Sequence, residues 1–133
     1  METNTKTKWN VFDQNCPTRF ALDRIADKWT VLIVGRLAGG TRRFGELRRD
    51  IQGISPKVLT QKLRELERDG VITRKIYASV PPKVEYSLTP MGQTLIGLLD
   101  AVRVWAESHM ETMLEAQAAY DGLKSAEMEA EYN

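Results

Sequence analysis

A single thiol and a band of cationic side chains are the groups in this sequence best placed to do chemistry. The thiol is Cys16, followed by Pro17 and Thr18. These three read as a helix start, because proline suits the first helical position, where its missing N–H is not needed. The positive end of a helix favours thiolate, and Arg19 is close in sequence. Cys16 is thus a candidate redox sensor, open to oxidation or to alkylation by electrophiles such as quinones. With one cysteine in the chain, the products open to it are a disulfide to Cys16 of the partner subunit, a mixed disulfide with a small thiol, or an adduct. An inert cysteine, behaving as a small hydrophobe, fits the same residue. A thiol enzyme would need a base beside the sulfur, and the one histidine, His109, falls on a distant helix. The reading is therefore no enzyme, no cofactor and no metal site.

The cations are concentrated. Thr41 to Ile76 holds ten Lys/Arg against five Asp/Glu, a net +5, whereas Glu107 to Asn133 holds seven acids and one lysine, a net −6. The overall charge of +1 conceals this asymmetry. A basic middle suggests an anion-binding surface, although a solvated charged face has the same composition. Within it, Ser55–Asp69 reads as one amphipathic helix. Val58, Leu59, Leu63 and Leu66 point inward, while Lys57, Thr60, Gln61, Arg64 and Arg68 project from the other face. The major groove of a DNA duplex, about 12 Å wide, admits one such helix. Ser55 and the free N–H groups of the first turn suit a phosphate, Lys57 and Arg64 a phosphate or guanine, and Thr60 and Gln61 base edges. Arg43 and Arg68 add cationic reach.

These side chains need elements to position them. A helix over Thr18–Ala26 carries Phe20, Leu22 and Ile25, and a second, capped by Asp27, runs to Leu37 and stops at Gly39-Gly40. Phe44–Ile51 is a third, short helix. Gln52-Gly53-Ile54 makes a turn, and Ser55 with Pro56 starts the basic helix, which Asp69-Gly70 ends. Val71–Ala78 and Val84–Leu88 read as strands around a tip stiffened by Pro81-Pro82. Pro82 and Lys83 on this wing, residues 78–84, suit the minor groove or the DNA backbone. Thr89-Pro90 caps one long final helix. The order is that of a winged helix-turn-helix: mainly α with a small β-hairpin (α+β), flanked by N- and C-terminal dimerisation helices. The expected divisions are an arm over 1–15, the winged domain over 16–120, and an acidic, fraying tail over 121–133.

The chain has 133 residues, 42% hydrophobic and 28% charged, which fits one globular domain. Its longest uninterrupted apolar run, Val31–Val34, is far short of the roughly 20 residues needed to span a bilayer. Met1–Asn10 has no apolar signal core. The expectation is a cytoplasmic protein without a membrane partner.

Four runs carry a family resemblance. They are Asp27-Lys28-Trp29-Thr30-Val31-Leu32-Ile33, then Arg43-Phe44-Gly45-Glu46-Leu47, then the stretch from Gly53 through Ser55-Pro56-Lys57 to Asp69-Gly70, and finally Val80-Pro81-Pro82-Lys83 through Leu88-Thr89-Pro90-Met91-Gly92. Together, from about Cys16 to Trp105, they resemble the HxlR family of bacterial transcription regulators, distant relatives of the MarR type. The resemblance implies a homodimeric DNA-binding repressor or activator. It also implies a sensing role for a cysteine at this position, since several members respond to oxidants or electrophiles through one.

The final helix carries more apolar surface than its own domain needs. Leu95, Leu99, Val102, Trp105 and Met113 lie near one stripe and, with Phe20, form the expected homodimer interface. A twofold dimer would read double-stranded DNA at a pseudo-palindromic operator, with a small-molecule electrophile or oxidant as a further partner. The competing reading is a winged-helix protein-interaction module without DNA binding, which would have no need of so many cations on one face.

Overall fold

The computed structural model describes residues 8–132, so residues 1–7 of the expected arm and Asn133 lie outside it. The chain divides into two compact units between Asp100 and Ala101.

The first unit starts with α1 (Thr18–Ile25) and α2 (Lys28–Leu37). Asp27 caps α2 by accepting a hydrogen bond from Trp29 N–H at 2.8 Å. Next come β1 (Arg42–Arg43), α3 (Phe44–Asp50) and α4 (Pro56–Arg68). The turn between α3 and α4 passes through Gly53 at φ +89°, a left-handed conformation that glycine adopts without a Cβ clash. Ser55 Oγ accepts from Val58 N–H at 3.1 Å, and Pro56 occupies the first turn of α4. β2 (Ile72–Tyr77) and β3 (Lys83–Leu88) then form the wing, and α5 (Pro90–Gln93) and α6 (Leu95–Tyr132) end the chain.

The sheet is antiparallel in the order β1-β3-β2. Ile72 lies opposite Leu88 and Tyr77 opposite Lys83, while Arg42 and Arg43 lie opposite Tyr86 and Glu85. The core gathers Ile33, Val34 and Leu37 of α2, Leu47 of α3, Leu59, Leu63 and Leu66 of α4, and Val71 and Ile72 at the wing's base. Thr30 is fully buried among them, and its Oγ1 has no hydrogen-bond partner among the described residues.

Four features depart from the sequence expectations. β1 is a strand of two residues, too short to show any alternation. The single final helix is two: α5 is a capped turn ending at Thr94, whose hydroxyl bonds the Met91 carbonyl. At Gly92 a Cβ would stand 2.1 Å from the Val71 carbonyl oxygen, so this turn is pressed onto the start of the wing. The acidic stretch from Asp121, expected to fray, continues as helix to Tyr132. Its Ala, Glu, Lys and Met residues are good helix formers, and that preference prevails over the excess of acid. Finally, Leu99, expected at a subunit contact, is 3% exposed and belongs to the core of its own chain. No helix among the described residues is long and apolar enough to cross a membrane.

Candidate nucleic-acid interface

α4 presents two faces with different tasks. Leu59, Leu63 and Leu66 are buried, and α4 packs against α2 and β2. On the opposite side Lys57, Gln61, Arg64 and Arg68 are exposed and Thr60 is half-buried. Lys57, Thr60, Gln61 and Arg64 line one open groove along the helix. Ser55 is exposed at its N-terminus. The structure thus brings together the residues of α4 singled out from sequence.

Its charges are sorted. Glu65 and Asp69 both bond Arg24 of α1, Glu65 at 2.7 Å. Glu67 pairs with Arg74 of β2 at 3.3 Å. Lys62 turns inward to Asp27, with Glu65 at 3.6 Å. Lys57, Arg64 and Arg68 make no ion pair among the described residues, so the open face is cationic. Partial burial pushes the Asp27 carboxyl up, but hydrogen bonds from Lys62 and Trp29 N–H, with the Lys62 charge, outweigh it and hold the carboxyl below its ordinary value. The same hydrogen bond raises Lys62.

The wing differs from the expectation in detail. Pro82 is exposed, but Lys83 is engaged locally: its Nζ lies 3.4 Å from Glu85 and 5.0 Å from the centre of the Tyr77 ring. A hydrogen bond from Tyr77, ahead of the Lys83 contact, lowers the Glu85 carboxyl. Arg43 is exposed in β1, opposite Glu85. The tip itself is apolar, with Val80 fully exposed.

Cys16 sits in a pocket of donors. The Thr18 hydroxyl donates to its Sγ at 3.2 Å, and Asn10 N–H does so at the same distance. The Thr18 hydroxyl is the main cause of a thiol pKa lowered from its ordinary value, with the Thr18 and Asn10 N–H groups adding to it. Arg19 is committed elsewhere: its guanidinium donates to the carbonyls of Val11 and Phe12, both at 2.9 Å. The sulfur is activated by hydrogen bonds more than by the neighbouring cation that the sequence suggested.

Of the remaining expected interface residues, Phe20, Val102, Trp105 and Met113 are exposed and Leu95 is half-buried against the core. Trp105 stacks on His109, with ring centres 4.5 Å apart. Sequence reading missed Arg24, Asp27 and Lys62 as a set. Their partners lie 35 to 45 residues away along the chain, and no local pattern marks them.

Comparison with known proteins agrees with this geometry. A family model described as HxlR-like helix-turn-helix matches residues 24–114. The HTH-type transcriptional regulator YtfH of Escherichia coli (strain K12) is 44% identical over 105 residues, covering 79% of this chain and 83% of its own. The solved structure of a transcriptional regulator ytfH from Salmonella typhimurium superposes with a TM-score of 0.76 at 41% identity, covering 83% of this chain and 98% of that one. The redox regulator HypR in its oxidized form gives a TM-score of 0.65 at 45% identity, covering 70% of this chain and 96% of that one.

Proposed function

The chain belongs to the HxlR-like helix-turn-helix family of transcriptional regulators, and from that premise we propose that it is a dimeric, sequence-specific DNA-binding repressor that works in the cytoplasm. The observation that carries the reading is the exposed face of α4, where Lys57, Arg64 and Arg68 have no ion-pair partner among the described residues while Glu65, Glu67 and Asp69 are each paired with an arginine. α4 enters the major groove, with Thr60, Gln61 and Arg64 toward base edges and Ser55, Lys57 and Arg68 toward phosphates. The wing follows the backbone or minor groove through Pro82 and Lys83, and Arg43 approaches from beside it.

α6 supplies the dimer contact through Val102, Trp105 and Met113, with Phe20 and Leu95. The two copies of α4 then fall on successive major grooves, about 34 Å apart, at a pseudo-palindromic operator. Cys16 is the release trigger: its thiolate, held by Thr18 and Asn10, reacts with an oxidant or electrophile, and DNA is let go. That the similar protein HypR is a redox regulator supports this part of the reading.

The test is a gel shift on the chain's own upstream region at several salt concentrations, where affinity falls steeply as salt rises. Arg64→Ala costs roughly 1–3 kcal/mol on that duplex if Arg64 reads a base, and equally on random duplex if it holds a phosphate. Binding indifferent to both salt and Arg64 would defeat the proposal.

A further inference from the structure

A helix that approaches a polyanion is better without acids, yet α4 carries Glu65, Glu67 and Asp69 within its last turns and C-cap. Two of them are taken up by one side chain from outside the helix-turn-helix. Arg24 of α1 directs Nη1 to Glu65 and Nε to Asp69. Its side chain is 17% exposed, and the Phe20 ring backs its guanidinium at 4.8 Å from the ring centre. The planar fork of an arginine suits such a double contact and stays charged at any working pH.

Without Arg24 these carboxylates have other cations within reach. Arg68 lies three residues beyond Glu65, a spacing at which side chains meet on one helix face, and Gln61 already touches Glu65 at 3.4 Å. Arg68 would turn toward Glu65 and away from solvent, and Asp69 at the C-cap would carry its charge unbalanced next to Arg68. Lys62 already stands 3.6 Å from Glu65 but shares its ammonium with Asp27, so it balances Glu65 only in part and does not pair with Asp69.

We propose that Arg24 is a positioning residue for DNA binding, which neutralises Glu65 and Asp69 from α1 and so keeps the cations of α4 available to phosphate. The inference rests on α4 facing DNA. Arg24 itself touches no nucleotide.

The experiment is a charge-removal cycle, read by fluorescence anisotropy on a mixed-sequence duplex and on a duplex from the chain's own upstream region, with thermal unfolding followed in parallel. Arg24→Gln lowers affinity on both duplexes by about tenfold at low salt, and the difference shrinks as salt screens the exposed acids. Adding Glu65→Gln and Asp69→Asn to Arg24→Gln restores affinity to within about twofold of the unmodified chain, because the uncompensated acids are gone. A purely structural role for Arg24 predicts the opposite, since the triple variant would lack the same ties and stay weak. An Arg24→Gln chain that binds as the unmodified one does, or a folded triple variant no better than Arg24→Gln, overturns the proposal. If the unmodified chain binds neither duplex, the nucleic-acid reading itself fails, and this inference with it.

Discussion

The unit that ends at Asp100 and the helix beyond it treat their apolar residues in opposite ways. In the first, aliphatic side chains from α2, α3, α4 and the wing meet in one core, and Ile33, Leu47, Leu59 and Leu66 are wholly buried. From Ala101 to Tyr132 every residue is exposed, Trp105, Met110, Met113 and Leu114 included. The ion pairs divide likewise. Lys62–Asp27 and Arg24–Asp69 join elements distant in sequence, whereas Arg103–Glu107 spans a single helical turn at 2.8 Å. One region is stable through non-local burial. In proteins most helical stability comes from packing an apolar face, and the apolar face from Ala101 onward is exposed among the described residues. The exposed stripe is the surface that the proposed dimer would cover.

The comparison is tested most severely by matched truncations. Leu63→Ala should destabilise the chain by about 2–5 kcal/mol in denaturant unfolding, since it removes a buried side chain and leaves a cavity. Leu123→Ala, on the distal helix, should cost far less when the protein is dilute, and its cost should grow with protein concentration as copies associate. Equal costs at low concentration would erase the distinction between the regions.

A sharper test uses charge. Asp27→Asn keeps an acceptor for Trp29 N–H but removes the ion pair with Lys62, and should cost roughly 0.5–1 kcal/mol near neutral pH. Asp27 has a lowered folded pKa, so its contribution is present above the unfolded value of about 3.9 and lost as pH falls through the folded one. Lys62 is raised, so its contribution is present below about 10.4 and lost as pH rises through its folded value. The gap between the two chains should hold across the intervening range and close in acid. A gap that persists once the Asp27 carboxyl is protonated in the folded chain would show that the charge is not its source.

The smallest effect concerns Thr30. Thr30→Val removes a buried hydroxyl without a partner at nearly constant volume, and should be neutral or stabilising, within about 0.5 kcal/mol either way. A loss above 1 kcal/mol would mean that the hydroxyl is bonded in solution.

The helix-turn-helix was legible because its boundaries are written locally. Asp27, Ser55 and Thr89 are cap residues, Gly53 and Gly70 mark turns, and the leucines of α4 repeat at helical spacing. What escaped was set by distant partners. A two-residue strand exists only because Tyr86 and Glu85 lie beside it. Leu95, Leu98, Leu99 and Val102 form one broad stripe, and only the packed structure tells which of them faces inward. Cys16 was legible as a reactive candidate, but its donors were not, because Asn10 reaches it across an irregular turn.

The contact at Gly92 carries a consequence for how variable this fold can be. With a carbonyl oxygen standing where a methyl group would have to go, even alanine must prise the capped turn off the first residue of the wing. The seating of α5 on the foot of the wing thus depends on a carbon that is absent, and no larger side chain can take this position without moving the backbone.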